Sequence, residues 1–301
     1  MKAFFITTRT GDCSNHVRAW ESFAKAEVIF HTPTGIPNDI EIVKRAVACQ
    51  PDVIFYIGAH KGPGCPIVET FHTLRKIAPT INICSDAVDE GWHDTLRLFR
   101  QSGCFDLHVA IDGAENQYID LSTVTPIDPI IFGEPVAKDI FCGFSGNFGS
   151  RYSFDYKNHD SAYRGKAIYQ LQKKSNLIVR QRTAAGAYSD HVDFMKRCKI
   201  VLNVSLCGSA TAHQIKGRAI EAGWAGCALL ESVGSPAINR FPKGSVIPFA
   251  TIKQAKEILR DISEDEIKES ARLLYNHVRS VYRPEQIYGG MLNRVGITLP
   301  R

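Results

Sequence analysis

The stretch KIVLNVSLCGSATAHQIKGRAIEAGWAGCALLES, residues 199–232, contains one complete strand–helix–strand unit. An apolar run rich in β-branched residues at 199–206 predicts a buried strand, and the segment 217–226 predicts a helix. A second apolar run at 227–232 predicts the next strand. Parallel strands need a crossover of this kind, so the stretch predicts a parallel sheet.

The same alternation extends over both halves of the chain. In the first half the predicted strands are 2–8, 26–32, 52–58, 80–86 and 107–112, and the predicted helices are 15–25, 38–50, 66–78 and 91–102. The second half adds strands at 139–146, 176–182 and 246–249, and helices at 161–174, 189–198, 251–262 and 264–282. This βαβα pattern predicts an α/β fold with two doubly wound, Rossmann-like domains and parallel sheets.

The alternation is interrupted once, in LSTVTPIDPIIFGEPVAKD, which carries three prolines and has no helical period. Such a segment is typical of a passage between domains. We therefore predict an N-terminal domain at 1–135, a C-terminal domain at 136–283 and a tail at 284–301. The tail is expected to form a helix that crosses back to the N-terminal domain. Ligands of such sheets bind beyond the carboxyl ends of the strands, here expected in a central cleft.

Composition narrows the class of protein. An apolar fraction of 44% with 22% charged residues is ordinary for a globular enzyme, and the net charge of +5 suits a small anionic ligand better than a nucleic acid.

The nine cysteines are scattered singly without a CxxC pair, which predicts buried thiols in a reducing compartment. The short apolar start predicts a strand rather than a signal peptide, and no apolar run reaches the roughly 18 residues of a membrane span. We expect a cytoplasmic protein.

Three charged residues lie together at the start of the helix 217–226. Lys216 and Arg218 oppose the helix dipole, which favours acidic residues at an N-terminus. An anion removes this conflict, because a diphosphate gains from both cations and from the free N–H groups of the first turn. Glu221 either forms a solvated i,i+3 ion pair with Arg218 or accepts hydrogen bonds from a sugar diol.

A second candidate loop follows the predicted strand 139–146. The sequence GFSGNFGSR places Ser145, Gly146 and Asn147 where backbone N–H groups can face a phosphate. The alternative is a plain turn, since glycine and serine are common turn residues.

The segment KIVLNVSL…QIKGRAIEAGWAGCALLES…RFPKGSVIPF resembles the C-terminal half of GT-B glycosyltransferases of the CgeB/YkvP-like, glycosyltransferase group 1 type. The shared elements are a strand ending in Asn-x-Ser, a Gln-x-Lys-Gly-Arg-x-x-Glu-Ala segment, and Phe241, Gly244 and Phe249 further on. The resemblance is specific over 199–262, looser back to 139, and limited to the fold over 1–120.

This resemblance implies a GT-B fold and a nucleotide-sugar donor, UDP- or GDP-linked, held mainly by the second domain. It implies that Lys216 and Arg218 neutralise the diphosphate, that Glu221 holds ribose or sugar hydroxyls, and that Arg182 lies near the base or ribose. No cofactor and no essential metal are implied. Related retaining families carry a second glutamate eight positions before the helix glutamate; this chain has His213 there, so the stereochemistry stays open.

The first domain is expected to bind the acceptor. By the same resemblance, His16 in TTRTGDCSNH is a candidate general base, and an imidazole suits that task. The alternative for His16 is an ordinary residue in the first turn of a helix. The rival base lies in SDAVDEGWHD, where Asp86 and Asp89 follow a strand, although the same acids serve as a helix N-cap. In GAHKGPG, His60 and Lys61 are further candidates for acceptor contact.

Together these observations predict a metal-independent glycosyltransferase, a hexosyl- or pentosyltransferase of class EC 2.4, that acts on an acceptor hydroxyl. The acceptor stays open: a glycan, lipid-linked glycan, protein, metabolite or modified nucleic acid. Two alternatives remain, a GT-B-fold nucleotide-sugar epimerase and a non-catalytic nucleotide-sugar-binding protein.

Overall fold

A computed structural model describes residues 1–8, 11–36, 38–58, 62–146, 161–181, 188–207 and 212–299. The chain divides into two compact units. Unit 1 comprises Met1–Asp128 together with Arg283–Arg301, and unit 2 comprises Pro129–Tyr282. Each unit has its own parallel sheet, so the predicted α/β class with two doubly wound sheets is confirmed.

The sheet of unit 1 has six parallel strands in the order β2-β1-β3-β4-β5-β6. Its elements are β1 Lys2–Thr8, α1 Gly11–Glu21, β2 Lys25–His31, α2 Asp39–Cys49, β3 Val53–Ile57, α3 Val68–Arg75, β4 Thr80–Cys84, α4 His93–Ser102, β5 Leu107–Ala110 and β6 Leu121–Ser122. A 3₁₀ turn at Glu90–Trp92 precedes α4. The inner strands β3, β4 and β5 are buried along their whole length, as expected for a sheet covered on both faces.

The sheet of unit 2 has five parallel strands in the order β11-β10-β9-β7-β8. Its elements are α5 Pro129–Phe132, β7 Ile140–Gly146, α6 Ser161–Lys174, β8 Leu177–Gln181, α7 Tyr188–Arg197, β9 Cys198–Asn203, α8 Gly217–Trp224, β10 Ala228–Ser232, α9 Ala237–Arg240, β11 Val246–Phe249, α10 Ile252–Asp261 and α11 Glu264–Val281. The chain order reverses across β7, since β8 pairs on one side and β9 on the other. Such a reversal is where open α/β sheets bind ligands.

The last helix, α12 Pro284–Arg294, belongs to unit 1. Its Tyr288 is fully buried, and the ring centroid lies 5.1 Å from that of Trp20 and 5.4 Å from that of Phe55. The Tyr288 hydroxyl donates to the carbonyl oxygen of His16 at 2.9 Å. Aromatic packing and this hydrogen bond hold α12 against α1 and the sheet.

Several predicted bounds differ from the structure. Helix α1 begins at Gly11 and ends at Glu21, not 15–25. The segment predicted to be irregular contains the two-residue strand β6 and the one-turn helix α5. Elements this short contain too few residues to show a hydrophobic period, so the sequence pattern does not predict them.

The cysteines and the helices bear on two further expectations. Eight cysteine side chains are described; all are buried and none forms a disulfide. None of the helices in the described part of the chain combines the length and the apolar character that crossing a membrane requires.

Helix α8 packs tightly against α11 through Gly223. A Cβ atom at Gly223 would lie 2.4 Å from Val278 Cγ2, whereas a Cβ at Gly290 of α12 meets no described atom within 4 Å. We predict that Gly223→Ala lowers the free energy of unfolding by about 1–3 kcal/mol through overpacking. Gly290→Ala should raise it by about 0.5–1 kcal/mol, because alanine favours helix. Urea denaturation checks both values, and equal effects of the two substitutions would contradict the packing described.

Candidate functional site

Buried polar side chains gather where β7, β9 and β10 end. Ser145 is the penultimate residue of β7, Asn203 is the last residue of β9, and Glu231 lies one residue before the end of β10. All three are fully buried. Because the carboxyl ends of parallel strands share one edge of the sheet, these groups lie together and form one hydrogen-bonded network with α7 and α8.

Arg218, in the first turn of α8, joins this network to the strand ends. Its Nε donates to the carbonyl oxygen of Ser145 at 2.8 Å, and its Nη1 donates to Asn203 Oδ1 at 2.7 Å. Its Cζ lies 4.4 Å from the centre of the Phe144 ring, a cation–π contact. A Cβ at Gly146 would come within 2.1 Å of Arg218 Nη2, so only glycine leaves room here. The guanidinium is thereby fixed beside the last residues of β7.

Glu231 is connected to Arg218 through the side chain of Asn203. One carboxylate oxygen accepts from Asn203 Nδ2 at 2.6 Å, and the other accepts from the backbone N–H of Ser232 at 3.0 Å. Burial raises the pKa of Glu231 to about 7, and the hydrogen bonds from Asn203 and Ser232 offset only part of this rise. Asn203 therefore bridges a buried carboxyl group and the guanidinium of Arg218.

Glu221, one turn along α8 from Arg218, is buried, with 6% of its surface exposed. Its two oxygens accept from the Tyr188 hydroxyl at 2.7 Å and bond to His191 Nε2 at 3.0 Å. Burial raises the pKa of Glu221, but the charge and hydrogen bond of His191 and the bond from Tyr188 outweigh burial and bring the pKa to about 2. The alternative of a solvated i,i+3 pair with Arg218 is wrong, because Glu221 is not solvated.

His213 occupies the position eight residues before Glu221. Its Nδ1 lies 2.8 Å from Ser205 Oγ, which in turn lies 2.9 Å from Ser232 Oγ. A Cβ at Gly234, whose φ is +95°, would come within 2.7 Å of the His213 ring. The loop after β10 thus accommodates an imidazole where related retaining families, by the resemblance above, carry a carboxylate.

The predicted donor residues fall into two groups. Ser145, Gly146, Arg218 and Glu221 are brought together in this network, and Lys216 is the N-cap residue of α8 beside them. Asn147 and Arg182 lie outside the described residues, as do His60 and Lys61.

The side chain and the carbonyl oxygen of Ser145 both take part in the network. It is fully buried; its hydroxyl bonds His191 Nδ1 at 2.7 Å, and its carbonyl oxygen accepts from Arg218. It therefore anchors the network, and the contact of its backbone N–H with a phosphate stays a prediction.

The environment of His16 argues against its predicted role as a general base. It lies within α1 rather than at the helix start, and only 1% of its surface is exposed. Burial lowers the pKa of His16 from 6.5 to about 3, and its Nδ1 lies 3.4 Å from the Tyr288 hydroxyl. An imidazole so placed packs between α1 and α12, and this burial is what argues against contact with an acceptor.

The two aspartates after β4 have separate surroundings. Asp89 is buried and caps the 3₁₀ turn, accepting from the N–H of Gly91 at 3.0 Å, as the N-cap alternative predicts. Asp86 is half-buried. The pKa of Asp112, raised to about 6 mainly by burial, is raised further by the charge of Asp86. The roles of Asp86 and Asp89 in catalysis stay predictions.

Within the described ranges, no three His, Cys, Asp or Glu side chains are arranged to hold a metal ion.

Comparison with known proteins finds one matching family model and several similar folds. Residues 154–293 match the glycosyl transferase-like family model. None of the curated proteins is detectably similar to this chain in sequence.

Similar solved structures extend over nearly the whole chain. HepE from Anabaena, solved with UDP-glucose, has a TM-score of 0.60 at 11% identity, covering 98% of this chain and 99% of that one. A glycosyltransferase from Rickettsia africae has a TM-score of 0.60 at 9% identity, covering 97% of each chain. Trehalose-6-phosphate synthase OtsA has a TM-score of 0.60 at 10% identity, with full coverage of both. The chain has the fold of the GT-B glycosyltransferases.

Among the described residues, the network includes several that were not predicted as site residues, above all Tyr188, His191, Asn203 and Glu231. Two of them left a signal in the sequence. Asn203 ends an apolar strand in the Asn-x-Ser pattern, and Glu231 is an acid inside the otherwise apolar run CALLES. A buried carboxyl of that kind needs hydrogen-bond partners, which places it near other polar groups. Tyr188 and His191 have the ordinary spacing of one helix turn and carried no such signal.

The raised pKa of Glu231 gives a stability change with a definite sign. Because the folded pKa of about 7 exceeds the ordinary value of 4.5, stability is fully present below pH 4.5 and falls as the pH rises through 7. This loss amounts to about 3 kcal/mol. We predict that in Glu231→Gln, which cannot ionise at this position, the change in unfolding free energy between pH 5 and pH 8 differs from that of the unchanged protein by about 2–3 kcal/mol, the part that Glu231 contributes. Urea denaturation at both pH values measures it, with the exposed Glu257→Gln as control; an unchanged slope in Glu231→Gln would refute the assignment.

Proposed function

We propose that the chain is a glycosyltransferase that moves a sugar from a nucleotide-diphosphate-sugar donor to an acceptor hydroxyl, without an essential metal. The observation that carries the proposal is the guanidinium of Arg218, fixed by Ser145 and Asn203 at the strand ends where the chain order of unit 2 reverses. A fixed cation beside the N-terminus of α8 suits a diphosphate, because charge, helix dipole and free N–H groups act on one anion.

The residues assigned to the nucleotide-sugar donor have two tasks in this proposal. Arg218 and Lys216 neutralise the diphosphate, and they stabilise the negative charge that develops on the leaving group during transfer. Glu221 stays ionised at neutral pH because its pKa is about 2. It therefore acts as a hydrogen-bond acceptor for donor hydroxyls, not as a proton donor. A carboxylate has about four lone-pair sites, so bonds to Tyr188 and His191 leave acceptor capacity.

The identity of the donor rests on the comparisons. HepE, with a similar fold, is solved with UDP and with UDP-glucose, and the family model over 154–293 is glycosyl transferase-like. We therefore assign a UDP-sugar as the first donor to test and a GDP-sugar as the second. The CgeB/YkvP-like subtype and transfer of a hexose or pentose are part of this proposal. Unit 1 is assigned to the acceptor.

The direct test is binding of nucleotides by the purified protein. We predict that UDP or GDP, and one of their sugar conjugates, raises the melting temperature in a thermal-shift panel, because a ligand that binds only the folded state stabilises it.

Lys216→Met should weaken nucleoside diphosphate binding about tenfold in calorimetry, as loss of one charged contact implies, with little change in melting temperature. Arg218 is not used for this test, because its guanidinium also bonds Ser145 and Asn203 within the protein.

The control is Lys268→Met, which removes an exposed lysine of α11. Equal affinity for the diphosphate in the Lys216 and Lys268 variants would refute the phosphate role of Lys216. Conversion of the donor sugar into its epimer without any acceptor would replace glycosyl transfer by epimerisation. Failure of every nucleotide in the panel to bind would refute the proposed function itself.

A further inference from the structure

Helix α7 places two side chains one turn apart against a single carboxylate. Tyr188 donates its hydroxyl to Glu221 Oε1 at 2.7 Å, and His191 Nε2 lies 3.0 Å from Glu221 Oε2. Tyr188 is 7% exposed and His191 3% exposed, so neither bond competes with bulk water. Both oxygens of Glu221 are therefore held by α7.

His191 has a second bond, on the opposite side of its ring. Its Nδ1 lies 2.7 Å from the hydroxyl oxygen of Ser145, at the end of β7. An ionised carboxylate can only accept hydrogen bonds, so the hydrogen between His191 and Glu221 resides on Nε2. One imidazole thus connects α8, through Glu221, with the end of β7, through Ser145.

The same two elements are connected a second time by Arg218. Arg218 extends from α8 to the carbonyl oxygen of Ser145 at 2.8 Å. Ser145 is therefore held twice, by its hydroxyl through His191 and by its carbonyl through Arg218. A change at His191 alters the surroundings of the two residues of α8 that the proposed function assigns to the donor.

We propose that His191 is a positioning residue of the donor site, which holds the Glu221 carboxylate in the orientation that accepts hydrogen bonds from the donor. This inference rests on the proposed function, since Glu221 is the group through which His191 acts. His191 itself contacts no donor atom in this account. Tyr188 is its partner and supplies the second bond to the same carboxylate.

Two conservative variants separate the two bonds of His191. The amide nitrogen of glutamine takes the place of Nε2 and can still donate to Glu221, whereas asparagine is shorter and places its amide near Nδ1, within reach of Ser145 only. We expect His191→Gln to keep the affinity for UDP within about threefold of the unchanged protein. We expect His191→Asn to weaken it about tenfold, as expected when one hydrogen bond to a buried charge is lost.

The experiment is calorimetric titration of UDP into the 301-residue protein and each variant, with the melting temperature of each measured in parallel. The corresponding controls are His277→Gln and His277→Asn, which change a half-buried histidine of α11 that packs against Phe241 and Tyr282. These should leave UDP affinity unchanged. Once a donor is identified, His191→Asn should raise its KM and leave kcat within about twofold, since ground-state binding is what is lost.

Each result decides the question. Equal affinity of both His191 variants with the unchanged protein, whatever their melting temperatures, overturns the proposal, because it leaves His191 a packing role only. Binding kept by His191→Asn and lost by His191→Gln also overturns it, because the contact that matters is then with Ser145. If neither variant folds, Tyr188→Phe removes the other bond to Glu221, and unchanged UDP affinity there overturns the proposal. Absence of UDP binding by the unchanged protein refutes instead the proposed function.

Discussion

The guanidinium of Arg218 is held from three directions, and most of the site in unit 2 depends on how it is held. The Ser145 carbonyl oxygen and the Asn203 amide oxygen accept its hydrogen bonds, and the Phe144 ring lies against its face. A guanidinium fixed in this way needs little reorganisation to meet an anion, and preorganised charge is what favours both binding and leaving-group departure in a transfer reaction. Gly146 makes the arrangement possible, because any side chain there would occupy the position of Nη2.

The network around Arg218 also contains two buried glutamates whose pKa values are shifted in opposite directions. Glu221 meets a histidine and a tyrosine and has a pKa of about 2, whereas Glu231 meets an amide, a backbone N–H and a hydroxyl and has a pKa raised to about 7. Burial alone raises the pKa of both carboxyl groups; the charge and donors of α7 reverse the effect at Glu221. The site thus holds one carboxylate that stays ionised and one carboxyl group whose pKa is raised to about 7. Hydrogen bonds connect the two through Asn203, Arg218, Ser145 and His191.

Much of the fold could be predicted because it depends on local patterns. The strand 2–8 and the helix 161–174 have the predicted bounds, since apolar runs and amphipathic periods define them. Candidate site residues could be predicted where a charge contradicts the helix dipole, as Lys216 and Arg218 do at the start of a helix. The remaining members of the site depend on tertiary contacts: His191 has an ordinary helical position, and only the packing of α7 against α8 gives it Glu221 and Ser145. His16 shows the converse, because its burial depends on Tyr288, which lies 272 residues away in the sequence.

A crystal structure of the protein with UDP tests the central claim most directly, because it places the diphosphate relative to named atoms. The account predicts diphosphate oxygens at hydrogen-bond distance, about 2.7–3.2 Å, from the guanidinium of Arg218 or the N–H groups of the first turn of α8, with Lys216 beside them. It also predicts that the bonds from Tyr188 and His191 to Glu221 remain in place. UDP bound elsewhere on the chain, or bound at this edge of the sheet without contact to α8, would contradict it.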